Sequence, residues 1–433
     1  MKRVFSYLSG VLFLTLLIVT TVCAENKNSS DNHQTKLLGG VGNYTSGSGI
    51  VVDDAGKCYI TGYTEGNLYG EKLIGKRDAY IVKYDANGNK EWIRLLGISG
   101  KYTCGNSIVI DNVGNSYITG YTSGNLDGQI KKGTNDAFVV KYDANGNKQW
   151  TKLLGATGGE TLSYNIKIDS LGNCYIVGHT NGNLDGQIKT GNEDAFFVKY
   201  DRNGNKRWTK LLGIARKNTT GNGIAIDSLG NCYITGSTDG NLDGQIKTGN
   251  YDAFIVKYDK AGNKQGMAKL FGVVGNNTYG LDIAIDIVDN CYITGEIDKV
   301  TTIGDVDAYI VKYDRDLIKQ VTTKIGVDKN YTSGRGIVID SASNCYIVGH
   351  TNGNLDGQIK TGETDAYILK YDKDLIKQGM AKLFGVAEKT TRGINIALDS
   401  AGNCYIIGDT DGNLDGQTKT GEKDAFVISK FNL

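Results

Sequence analysis

The sequence predicts an all-β fold: seven antiparallel sheets of four strands each, arranged as a closed ring. Three observations lead there. A motif of the form [Cys/Ser]-Tyr-Ile-x-Gly is centred on Tyr59, Tyr117, Tyr175, Tyr233, Tyr292, Tyr346 and Tyr405, at spacings of 58, 58, 58, 59, 54 and 59 residues. A near-constant period of this size marks a repeat architecture. Each unit also carries Asp-Ala-[Phe/Tyr], beginning at Asp78, Asp136, Asp194, Asp252, Asp307, Asp365 and Asp424, and the phrase K-Q-G-M-A-K-L-F-G-V stands whole at 264–273 and again at 377–386. Secondly, the third strand of a unit is apolar at both parities, with Ala253 and Ile255 on one side and Phe254 and Val256 on the other. A sheet covered on both faces is implied. Thirdly, residues 34–39 read Q-T-K-L-L-G and match the fourth strand at 149–155, whereas the seventh unit stops after its third strand. The N-terminal strand is therefore expected to complete the last sheet, which closes a seven-bladed β-propeller and leaves no sheet edge to template aggregation. A linear stack would need capping units instead.

The elements follow in order. Residues 1–24 read as a signal peptide: Lys2 and Arg3, a short apolar run from Val11 to Val19, then small residues up to Ala24. That run falls short of the ~20 residues a membrane span needs. Cys23 as a lipid-modified first residue is the alternative, and Thr21 and Val22 before it match a lipobox poorly. Residues 25–33 form a polar lead-in, and 34–433 form the propeller. In the fourth unit, strand A is expected at 223–227, B at 232–236, C at 252–259 and D at 264–271. The C–D connections of the first three units hold Asn-Gly, whose positive φ angles suit a tight hairpin. With 60 glycines and no proline, the turns fall to Gly, Asn, Asp and Ser.

Charge narrows the function classes. The net charge of +1 includes Lys2 and Arg3, and removing those two leaves −1. No basic field is available to hold nucleic acid or an anionic membrane. No segment beyond the signal peptide is apolar enough to span a bilayer. The units, clearest as D-A-F-V-V-K-Y-D-A-N-G-N-K-Q-W at 136–150, resemble the seven-bladed β-propeller repeat family found mainly in bacterial surface and secreted proteins. The resemblance runs from Gln34 to the C-terminus. It departs in the fifth unit, which lacks G-N-L-D-G and has a shortened loop at 297–306, and after the third unit, where the D-strand tryptophan of Trp92, Trp150 and Trp208 is lost. It implies the fold and an exported location, and no catalytic residues.

Three sets of residues are candidates for chemistry. The loop 411–422 reads like a calcium loop, with Asp411, Asn413 and Asp415 at alternate places, Gly416 at the sixth and Glu422 at the twelfth. Its sister loops begin at Ser123, Asn181, Asp239 and Asn352. All five carry Lys at the ninth place (Lys131, Lys189, Lys247, Lys360 and Lys419), where an ammonium opposes a bound cation. The expectation is a turn whose Leu tucks into the blade, with calcium possible in the seventh unit alone. Cysteines recur at one equivalent position (Cys58, Cys174, Cys232, Cys291, Cys345 and Cys404), with Ser116 in the second unit and Cys104 elsewhere. Packed sheets lie ~10 Å apart, beyond the ~7 Å reach of a disulfide, so these are expected to be small buried hydrophobes.

Two rings vary while their neighbours do not. One follows strand B: Tyr63, Tyr121, His179, Ser237, Glu296, His350 and Asp409. It is expected on an exposed rim, with His179 and His350 three blades apart. The other is expected just before strand A: Ser48, Asn106, Tyr164, Asn222, Leu281, Arg335 and Ile394, around the mouth of a central channel. Tyr164, Arg335, His179, His350, Glu296 and Asp409 are the candidate ligand-binding residues. No Ser-His-Asp set or zinc spacing is present. The chain is thus expected to be a monomeric, non-catalytic binding or scaffolding module of the cell surface, engaging a protein or a carbohydrate through its loops. The alternatives are a calcium-dependent repeat lectin or adhesin, and a lyase or glycosidase working at the channel mouth.

Overall fold

The computed structural model describes residues 33–431 and 433; the segment 1–24 expected to be a signal peptide, with Cys23, and all of the expected lead-in except His33 lie outside the described residues. Each unit forms an antiparallel meander. In the fourth blade the strands are Thr219–Ile226, Cys232–Thr238, Asp252–Tyr258 and Lys264–Phe271. The described residues form seven such four-stranded sheets. Strand A is innermost, and each A strand touches the A strands of both neighbouring blades, the seventh (Thr391–Leu398) meeting the first (Thr45–Val52). Closure is as expected: Gln34–Leu38 pairs antiparallel with Asp424–Phe431, from Gln34 opposite Ser429 to Leu38 opposite Ala425. The B–C loops and the D-to-A connections share one face, here the upper; the A–B and C–D hairpins form the lower.

Strand A begins about one turn of sequence earlier than its pattern suggests, because every one of the seven carries a β-bulge. The register slips between Gly47 and Gly49, Gly105 and Ser107, Ser163 and Asn165, Gly221 and Gly223, Gly280 and Asp282, Gly334 and Gly336, and Gly393 and Asn395. An extra residue breaks the two-residue alternation and bends the strand. The bulge also explains the glycine of the Cys-Tyr-Ile-x-Gly motif. A Cβ on Gly178 would lie 1.9 Å from the Leu162 carbonyl oxygen that the bulge pushes towards it.

The other repeated residues join neighbouring parts of the ring. Asp194 is fully buried and accepts the backbone N–H groups of Thr190 and Gly191, both at 2.7 Å, so its loop is capped by a carboxylate. Its blade-closing counterpart Asp424 packs on Gly39, where a Cβ would stand 1.8 Å from Oδ1; the first glycine of the propeller thus serves the last carboxylate. Strand C contributes a lysine that lies over the motif tyrosine and reaches the next blade. Lys199 Nζ is 4.7 Å from the Tyr175 ring and donates to the Lys260 carbonyl at 3.3 Å. Lys83, Lys141, Lys257 and Lys312 do the same towards Ala144, Arg202, Arg315 and Lys373. In the seventh blade the strand carries one extra residue, absorbed by a bulge that leaves Lys430 at φ 62°, and Lys430 Nζ still donates to the Ala86 carbonyl of the first blade.

The loop after strand B also follows its chemistry. Leu126, Leu184, Leu242, Leu355 and Leu414 are buried, and the Asp-Gly pair after each takes positive φ, as at Asp243 (53°) and Gly244 (75°). The fifth blade lacks the phrase, and Ile297 enters the core there beside Tyr309 and Val311. All seven described cysteines are buried and unpaired, with no disulfide among the described residues.

Candidate functional site

The loop 411–422 does not gather its four calcium candidates around one point. Asp411 Oδ1 accepts the Thr390 N–H at 2.7 Å, and Asn413 Oδ1 accepts the Lys419 N–H at 3.0 Å. Asp415 Oδ2 turns outward to Thr35 Oγ1 (2.5 Å) and His33 Nε2 (3.0 Å), tying down the strand that closes the ring. Glu422 engages Tyr44, whose phenol it pushes up. Lys419 Nζ folds back to the Gly421 carbonyl at 2.7 Å, so the loop supplies its own cation. The sister lysines Lys189, Lys247 and Lys360 do likewise at Gly191, Gly249 and Gly362. Among the described residues, no group of three His, Cys, Asp or Glu side chains is placed to hold a metal ion.

The ring expected before strand A lies inside it: Ser48, Asn106, Tyr164, Asn222, Leu281, Arg335 and Ile394 are the seven bulge residues themselves. A residue left out of the ladder is free to differ in every blade without disturbing the sheet. All seven are half-buried. Two of them act structurally: Asn106 Nδ2 donates to the Ser163 carbonyl and Asn222 Nδ2 to the Gly280 carbonyl, each at 2.8 Å, linking adjacent A strands.

The ring expected after strand B lies inside it, because each B strand runs on past this position, and it is not an exposed rim. His179, His350 and Asp409 are 8%, 7% and 1% exposed. The reason is tertiary: the next blade's A strand lies across this position, as Ser46 of the first blade does when it donates to Asp409 Oδ2 of the seventh at 2.8 Å. The two rings therefore meet. Tyr164 Oη lies 3.1 Å from His179 Nδ1 with the rings stacked at 5.6 Å, and burial lowers the His179 pKa against the pull of Glu193 and Glu160.

A denser cluster spans blades five to seven. Glu296 Oε1 takes Tyr331 Oη at 2.8 Å, Ser333 Oγ, and Arg335 Nη2 at 3.0 Å. Tyr331 stacks on His350 at 5.5 Å. Burial first, then the Arg335 and Arg392 guanidinium groups, push His350 down to about 3, so its ring is neutral at physiological pH. Asp409 holds Arg392 through two bonds of 2.9 Å, with Lys423 Nζ at 3.6 Å. Glu296 and Arg335 thus come together, as do Asp409 and Arg392, with His350 beside both arginines. His179 and His350 stay in separate blades. Arg392 was not among the sequence candidates, although its position (Ser46, Cys104, Leu162, Thr220, Tyr279, Ser333, Arg392) varies as freely as the other two rings.

Below the mouth, the channel is bridged by side chains. Asn165 Nδ2 of the third blade donates to Asp282 Oδ1 of the fifth at 3.3 Å, Ser107 Oγ donates to Asn165 Oδ1 at 3.3 Å, and the Ile337 N–H donates to Asp282 Oδ2 at 3.1 Å. Gly223, between the bridging blades, makes room: a Cβ there would stand 3.0 Å from Asp282 Cα. Burial raises the Asp282 pKa. The mouth is a cup with a polar floor.

Ring, strand order and bulge pattern define a repeat-built seven-bladed propeller whose variable side chains cluster at one mouth. The chain belongs to the Beta-propeller repeat family, which matches residues 35–70, 91–127, 149–185, 207–243, 321–356 and 381–415. Among curated proteins it is 23% identical over 350 residues to Regulatory protein FlaEY of Caulobacter vibrioides, covering 70% of this chain and 35% of that protein. It is 25% identical over 431 residues to the Uncharacterized WD repeat-containing protein L264 of Acanthamoeba polyphaga mimivirus, covering 76% of this chain and 30% of the relative. The chain spans about a third of the length of these relatives. A chain in the crystal structure of a mitotic checkpoint complex superposes with a TM-score of 0.51 at 11% identity, covering 100% of this chain and 99% of that one, a likeness of fold alone. Among the described residues, no helix is long and apolar enough to cross a membrane.

Proposed function

We propose that this chain is an exported, non-catalytic binding module of the cell surface, taking a protein or carbohydrate ligand at the upper mouth of the propeller. One observation carries the reading: seven bulge positions present six different side chains on a repeated scaffold. Variation gathered at the bulge and the ladder positions beside it, while the rest of the unit repeats, supports a surface fitted to a ligand. A catalytic reading asks for a carboxylate or imidazole free to move a proton. Here both Asp409 oxygens are occupied and His350 is buried beside two cations. The calcium-lectin reading asks for loops that converge on an ion, and the loop carboxylates diverge.

The test is direct binding. The chain, immobilised on a biosensor, is presented with a panel of purified polysaccharides and with fractionated envelope proteins of the host. Saturable binding to one class, reduced by substitutions at Arg335 and Tyr164 and unaccompanied by cleavage of the ligand, is expected. Turnover of any panel polysaccharide overturns the non-catalytic reading.

A further inference from the structure

The cluster of blades five to seven has spent only part of its hydrogen-bonding capacity. Both hydroxyl donors to Glu296 and its ion pair with Arg335 Nη2 fall on Oε1, which leaves Oε2 without a hydrogen bond among the described residues. Arg335 bonds through Nη2, and Arg392 through Nε and Nη2; the Nη1 edge of each makes no hydrogen bond to the described residues. Both arginine side chains are over one-third exposed, at 36% and 37%, so these edges face solvent at the mouth. Two further polar atoms of the cluster, Arg335 Nε and His350 Nδ1, are buried without a partner, and His350 is 7% exposed. A buried polar atom without a partner is costly, and native proteins retain few of them.

The charges are also informative. Arg335, Arg392 and Lys423 stand against Glu296 and Asp409, three cations to two carboxylates, and His350 is neutral. The surplus is one positive charge, which matches a monoanion better than a phosphate dianion. Guanidinium edges suit the planar carboxylate in particular. The unused Glu296 oxygen asks for a donor on the same ligand, and a sugar acid offers a carboxylate and hydroxyls on one ring.

Resting on the binding reading above, we propose that the mouth of blades five to seven is a subsite for an acidic sugar. The carboxylate of a uronate lies against the Nη1 edges of Arg335 and Arg392, and a ring hydroxyl donates to Glu296 Oε2. The cup floor at Asn165 and Asp282 limits the ligand to the mouth, so a chain end or a short run of residues binds rather than a threaded polymer.

The experiment is calorimetric titration of the full chain with trigalacturonate, with a neutral trisaccharide and with a hexaglutamate peptide. Saturable binding of trigalacturonate is expected, at least tenfold tighter than the neutral sugar and weakened by salt. R335Q and the paired exchange R392Q/D409N should each weaken it at least tenfold. R335K, which keeps the charge and the fold but loses the planar edge, should weaken it as well, and thermal melts check that each variant is folded. Four outcomes overturn the subsite: uronate binding unchanged in folded variants, equal binding of the neutral sugar, binding of none of the three probes, or peptide binding without uronate binding. The last would leave the module a binding protein with a different ligand; binding of none of the three probes, with a ligand found in the wider panel, would do the same.

Discussion

Replacing Asp415 by Ala separates the two roles its loop could have. Asp415 accepts hydrogen bonds from Thr35 and His33, at the start of the ring-closing strand. Bonds to a charged acceptor contribute about 1.5–3 kcal/mol when sheltered, and the 36% exposure of the Asp415 side chain reduces the expected loss to about 1–2 kcal/mol. Unfolding entropy is about 2.1 cal/mol/K per residue, so a propeller of roughly 400 residues shifts its Tm by only about 1 °C per kcal/mol. Calorimetry should therefore place D415A about 1–2 °C below the parent, equally in chelator and in calcium. A weak extracellular-type site with a Kd of about 0.1–1 mM would instead add about 1.4–2.7 kcal/mol at 10 mM calcium, roughly 2–3 °C. A calcium-induced rise of that size in the parent, abolished in D415A, would refute the turn reading and restore the loop as a metal site.

Other expectations follow from burial. Leu242, 1% exposed, fills the fourth blade beneath its loop, and L242A should cost about 2–5 kcal/mol, read as a Tm drop of roughly 2–6 °C; no change would mean the loop is not packed as described. His350 has a folded pKa of about 3 against an ordinary 6.5, so the unfolded chain binds the extra proton. Stability is then lost as pH falls from 6.5 towards 3, by about 2 kcal/mol at pH 5; H350Q should flatten that part of the denaturation profile, and an unchanged slope would place the titration elsewhere. Burial pushes the Cys174 and Cys404 thiols up to about 12 and raises Cys58, Cys232, Cys291 and Cys345 as well. A thiol reagent at pH 8 should leave these six unmodified in the native protein and label them after denaturation; rapid native labelling of any of them would contradict the packing.

Where a feature depended on one unit's own residues, it was legible from sequence. Strands B, C and D, the tucked Leu of G-N-L-D-G, the buried cysteines and the pairing of residues 34–38 with the last blade all follow from local pattern and repetition. Strand A was misplaced because the bulge at Asn222 and its equivalents interrupts the alternation by which strands are recognised. The burial of His179, His350 and Asp409 is not legible in strand B itself, because the A strand of the following blade covers all three, and Tyr164 and Tyr331, each of the same blade as its histidine, stack on the two imidazoles. Arg392 varies like its neighbours, and alignment of the seven units two residues before the bulge reveals it. The floor had a signal too, the alternation of Gly49, Ser107, Asn165, Gly223, Asp282, Gly336 and Asn395, small beside large around one level of the channel.

Ring closure has a consequence in time as well as in space. Gln34–Leu38 is among the first parts of the propeller to leave the ribosome, and its partner Asp424–Phe431 is the last. Six blades can be complete while that strand still waits, and Lys430 can clasp the first blade only after every intervening blade has been made. Such long-range pairing is slow, and an unpaired strand edge is hazardous until it forms. A chain cut short before Asp424–Phe431 would carry that open edge permanently, so the ring should tolerate internal loop insertions far better than the loss of that strand.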